Sequence, residues 1–149
     1  MGETIMEIRE IREKDYASAI DVSNIAIKEL FGTEPAFDFN FKIKNVFVTP
    51  GNVTRALYVD KMMVGLFVLT EERFIHNDKK KLNINFFYIL EEYRTKENMD
   101  EVFRFIENFA LTNGNVSIGF DSSLPHFSNH LVDTVSDVKQ QSIHFEKAL

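Results

Sequence analysis

The sequence predicts an α/β domain of the α+β type: a mixed, mostly antiparallel central sheet flanked by helices. Three observations carry that expectation. The 149 residues, 44% apolar and 27% charged, match one globular domain spanning 1–149. A meander of short apolar segments, separated by turn signals, fills the middle of the chain. A helical stripe precedes the meander, and strand–helix units follow it.

The elements follow in order. Thr4 to Ile11 reads as a first strand, with Met6 and Ile8 on one face between charged residues. Asp15 fits an N-cap and Gly32 a C-cap for a helix carrying Ala19, Ile20, Val22, Ile27, Leu30 and Phe31 at helical spacing. Residues 37–48 fit either a strand or a helix, and the balance favours a short helix. Thr49-Pro50-Gly51-Asn52 is a turn. Val53 to Val59 and Met62 to Thr70 form a hairpin about Asp60-Lys61, and Glu71 to Lys81 reads as a longer loop. In the next strand, Leu82 to Leu90, the residues Leu82, Ile84, Phe86 and Tyr88 alternate with Asn83, Asn85 and Phe87.

Met99 to Thr112 is the clearest helix, with Met99, Val102, Phe103, Ile106, Phe109 and Ala110 on one face and Asn113-Gly114 at its end. Asn98 and Glu101 have the spacing of a capping box. Val116 to Phe120 is a short strand, Ser123 to Val132 a helix with Pro125 in its first turn, and Ser142 to Leu149 a last strand. The unit from Leu82 to Phe120 requires a parallel crossover.

Composition excludes several classes. Lys plus Arg number 17 against 23 Asp plus Glu, a net charge of −6, which disfavours a phosphate-tracking nucleic-acid surface. Lys79-Lys80-Lys81 is too small a basic run to reverse that, and reads as a solvated hairpin tip. The absence of cysteine removes disulfides, thiolate metal sites and a cysteine nucleophile. No signal-peptide pattern opens the chain, and Met62 to Leu69, its longest apolar run, is far short of a bilayer span. A cytoplasmic protein without membrane contact is expected. His126 and His130 share a spacing that could face a metal, with His76, His144, Asp121 or Asp133 as a third ligand, but no zinc motif is present and no metal is expected. The 15 Phe residues mostly serve the core, leaving Phe37, Phe39 and Phe127 as candidates for an exposed contact patch.

The element order and several phrases resemble the GNAT family of acyl-CoA-dependent N-acetyltransferases. Ile8 or Ile11, with Arg9 or Arg12 and then Asp15, resembles the family's opening phrase. Tyr58 to Leu69, with Gly65, resembles its central hairpin. Phe87 to Arg94 is similar to its fourth strand running into "V-x-P-E-Y-R". The resemblance implies acetyl-CoA as cofactor and an amine, on a small molecule or a protein, as acceptor. It implies that Ile89 and Leu90 pair with the pantetheine arm, and that Arg94, Thr95, Lys96, Glu97, Asn98 and Met99 carry the pyrophosphate.

That last stretch departs from the family pattern, Arg/Gln-x-x-Gly-x-Gly/Ala: Glu97 and Met99 stand where the glycines belong, and only Arg94 is kept. Between Glu91 and Glu101 two bases face five acids, a local charge of −3. The family's thiolate-protonating Tyr falls near Asn129 or His130, and no Tyr lies beyond Tyr93, so His130 is the candidate acid. Glu91 and Glu92, or Asn83 and Asn85 through water, are candidate bases, although two glutamates at a strand end are ordinarily just solvated. Two functions follow. One is an N-acetyltransferase working by direct attack. The other is a catalytically silent GNAT-like protein, needing no cofactor, that binds a protein partner, as in phage virion assembly. The sequence leaves the oligomeric state open, a dimer included.

Overall fold

The computed structural model describes residues 5–73 and 78–120. Its elements are β1 (Met6–Glu10), α1 (Tyr16–Phe31), α2 (Phe39–Val48), β2 (Val53–Val59), β3 (Met62–Arg73), β4 (Lys80–Ile89), α3 (Lys96–Thr112) and β5 (Asn115–Phe120). The five strands form one sheet in sequence order. Every pairing is antiparallel except β4 with β5, the crossover that α3 makes. The helix and strand expected after residue 121 lie outside the described residues, as do His126, Phe127 and His130. Among the described residues, no helix is long and apolar enough to cross a membrane.

The middle of the sheet is covered on both faces. In β3, Met63 through Leu69 are all buried, side chains of both parities alike. A strand with two apolar faces needs a layer on each side. On one side Val64, Phe67 and Leu69 join Leu57, Leu82, Phe87 and Ile89 beneath Met99, Val102 and Ile106 of α3. On the other side Met63, Leu66 and Val68 join Ala56, Tyr58 and Tyr88 beneath Ala19, Val22 and Ala26 of α1 and Phe47 of α2. Small residues on α1 let it lie close to the strands.

The structure corrects the expected elements in five places. Both ends of Glu71 to Lys81 are strand rather than loop: Glu71, Glu72 and Arg73 pair with Leu82, Lys81 and Lys80. Opposite charges face one another there, with Lys80 3.5 Å from Glu71 and Lys81 3.6 Å from Glu72, so a polar stretch extends the hairpin. The lysine triplet is accordingly not a free tip. In β4 the simple alternation fails, because Val68 faces Phe86 while Leu69 faces Ile84, leaving Asn85 as an extra residue. The bulge moves Phe87 and Ile89 onto the same face as Leu82 and Ile84, and turns Tyr88 towards α1.

Asp15 precedes α1 without capping it; its carboxylate instead accepts from the Arg12 N–H at 3.0 Å and the Tyr58 hydroxyl at 2.9 Å. Phe31, expected in the α1 stripe, is 61% exposed. Finally, α3 begins a turn earlier than expected, at Lys96. Its cap is Thr95, whose hydroxyl accepts from the Asn98 N–H at 3.2 Å, so Asn98 and Glu101 form no capping box. Gly32 does end α1, at a φ of 66°.

Gly65 is where β3 crosses closest to β4. A Cβ there would meet the Tyr88 carbonyl and lie 2.9 Å from Ile89 Cα, all backbone that cannot give way cheaply. Gly65→Ala is therefore expected to cost about 1–3 kcal/mol, read as a lower urea midpoint with an unchanged slope.

Candidate functional site

The candidate site gathers where β4 ends and α3 begins. Leu90 leaves the sheet with its N–H donating to the Val64 carbonyl at 2.8 Å. A single helical turn, Glu91–Tyr93, follows, and Arg94 and Thr95 lead into α3. Glu91 and Glu92 are exposed on the turn, while Tyr93 packs against the α3-side core. The Asn98 side chain donates to the Tyr93 carbonyl at 2.8 Å and locks the turn to the helix. Ile89, Leu90 and residues 91 to 99 thus form one contiguous segment. His130 lies outside the described residues.

Both bases of this segment already have acids. Arg94 turns inward: its Nε donates to the Ile89 carbonyl at 2.8 Å, and its Nη2 lies 2.6 Å from a Glu29 carboxylate oxygen. Its guanidinium carbon also sits 5.4 Å from the centre of the Tyr88 ring. The Tyr88 hydroxyl donates to the other Glu29 oxygen, so Glu29, from the last turns of α1, clamps strand and loop together. Lys96 reaches along its own helix to Asp100 at 2.9 Å, a contact that raises its pKa. Glu97 stands exposed in the first turn of α3. Met99 is 4% exposed and belongs to the core, while its N–H makes a helical bond to the Thr95 carbonyl at 3.0 Å.

Sequence reading missed Glu29 altogether. It lies 65 positions before Arg94 in the chain, and nothing local marks an acid near a helix end as a clamp. Along β4, β5 pairs from Lys80 to Ile84, opposite Phe120 where the described residues end, while β3 pairs onward to Ile89. Among the described residues no three His, Asp or Glu come together as a metal site.

Two tyrosines record how dry the α1 face is. Burial, then the hydrogen bond to Glu29, pushes the Tyr88 hydroxyl up to about 12; burial, then Asp15, does the same for Tyr58. In the unfolded chain a phenol titrates near 10. Stability is thus fully present below pH 10 and falls as the pH rises towards 12, because only the unfolded state is then releasing these protons. Urea unfolding at pH 9, 10 and 11 is expected to show this decline, made shallower by Tyr88→Phe. At pH 7, Arg94→Ala removes the guanidinium held against Glu29 and the Ile89 carbonyl and is expected to cost about 2 kcal/mol in the same measurement.

No family model and no curated protein matches the sequence. Solved structures do match it in shape. A possible acetyltransferase from Clostridium difficile is 18% identical with a TM-score of 0.74, over 97% of this chain and 99% of that one. A GNAT family acetyltransferase from Staphylococcus aureus is 16% identical, also at 0.74, over 97% and 98%. An aminoglycoside N-acetyltransferase, AAC(6')-Iy, in complex with CoA is 10% identical at 0.74, over 99% and 97%. With the strand order and the β4–α3–β5 crossover, these likenesses establish that the chain has the GNAT acetyltransferase fold.

Proposed function

We propose that this chain is a GNAT-fold protein whose pyrophosphate loop has been converted into internal structure, and that it works by contacting a protein partner rather than by acetyl transfer. The observation that carries this reading is that Arg94, the one base the loop keeps from the family pattern, is turned inward and held by Glu29, while exposed Lys96 leans along its own helix to Asp100. A pyrophosphate in the family's manner would need close approach to backbone N–H groups at a helix start. Here Thr95 occupies the Asn98 N–H, Met99 is committed to the core, and Glu97 adds a carboxylate in the first turn. The residues present do not fit that cofactor group.

The contact surface that suits this function lies on the α1–α2 side. Phe37 is fully exposed, Phe41 is 69% exposed, and Phe31 and Val48 are exposed beside them in sequence or on the same helix. Phe39, expected to share this role, is half-buried instead.

A second reading has its own support: Leu90 leaves the sheet directly before the turn into α3, and a similar structure is a CoA complex. On that reading the protein is an acyl-CoA-dependent N-acetyltransferase, with Glu91 or Glu92 as base and His130 as acid. A thermal-shift and calorimetric titration with acetyl-CoA decides between them. No saturable heat and no change in Tm at about 1 mM is expected, whereas micromolar binding would add several kcal/mol by linkage and overturn the proposal.

A further inference from the structure

β1 is an edge strand: β2 pairs with one side of it, and among the described residues no strand lies on the other. It pairs with β2 without a bulge, from Met6 opposite Val59 to Glu10 opposite Arg55, and it contains neither Pro nor Gly. Its outer backbone groups are therefore regularly spaced for another strand. Charged side chains ordinarily guard such an edge, and β1 carries Glu7 and Arg9 on the α1 face, with Arg9 lying 4.6 Å over the Tyr58 ring. The two side chains already attract one another, at 2.6 Å and about half exposed.

Antiparallel pairing of β1 with itself turns this guard into a match. Opposed residues must lie on one face, so the two-fold axis passes through a residue. Of the five in β1, only Glu7, Ile8 and Arg9 as centres let three or more strand residues pair. Centring on Glu7 sets Glu7 against Glu7, and centring on Arg9 sets Arg9 against Arg9. Centring on Ile8 sets Glu7 of each copy against Arg9 of the other, twice, and Ile8 against Ile8. Only this register is free of like-charge opposition. On the α3 face, Ile8 borders a cleft of about 320 Å³ lined by Met6, Ile8, Glu101, Arg104, Phe105 and Asn108. The same pairing places the two clefts side by side, with the Ile8 pair at their junction.

We infer that the partner this edge fits is a second copy of the chain, joined β1 to β1 about Ile8 into one continuous sheet. The interface is isologous, so each charge substitution acts twice. Sedimentation velocity of the full chain from about 10 to 300 µM tests it. The wild type is expected to dimerise, less readily in 1 M salt. Glu7→Arg and Arg9→Glu, each alone, oppose like charges and are expected to weaken the dimer roughly tenfold or more. An equimolar mixture of the two variants restores it, and so does the double swap in one chain. Circular dichroism checks that each variant is folded, which both exposed positions favour. A monomeric wild type across the range overturns the inference. So does a dimer indifferent to both single substitutions, or single variants that fail to recombine.

Discussion

The architecture depends on a strand that has no wet side. Met63 through Leu69 present apolar atoms to both faces of the sheet, and burying them requires helices above and below. α3 supplies one cover with Met99, Val102 and Ile106; α1 and α2 supply the other with small residues and Phe47. The bulge at Asn85 belongs to the same requirement. Without the extra residue, Phe87 and Ile89 would point at α1 and Tyr88 at α3, and neither layer would fit.

That packing also determines what the loop between β4 and α3 can do. Once Tyr88 faces α1, its hydroxyl needs a partner in a dry setting, and Glu29 provides it. Glu29 in turn takes a cation, and Arg94 lies 2.6 Å from it. The surviving basic residue of the loop is thus drawn inward by a chain of satisfaction that starts in the core. With Lys96 turned along the helix to Asp100, the local excess of acids is left facing water. Electrostatics and packing point the same way at this site.

Much of this was legible in the residues. Alternation and turn signals marked the meander, because a period of two survives wherever a strand is regular; Gly32 and the Asp60-Lys61 turn marked their ends for the same local reasons. The helix of α3 was plain from Val102, Ile106 and Ala110. What escaped were features decided between distant segments. The polar extension of β3 and β4 exists because Glu71 and Glu72 meet Lys80 and Lys81 across the ladder. The bulge is a register property of two strands together. The Glu29 clamp joins residues 59 and 65 positions apart, which no local pattern can show. For the site, sequence located the segment and its missing glycines, but not the direction in which Arg94 points.

The doubly buried strand carries a hazard outside the native state. Met62 to Leu69 is an uncharged, proline-free run of high β-propensity, the composition that zips into intermolecular stacks when exposed. Lys61 before it and the Glu71-Glu72 pair after it stand where gatekeepers against aggregation stand. A nascent chain has this segment in hand before the residues of α3 have been made, so only α1 and α2 can shelter it at first. The helical layer that carries the exposed phenylalanines is therefore also the earliest shield of the chain's stickiest segment.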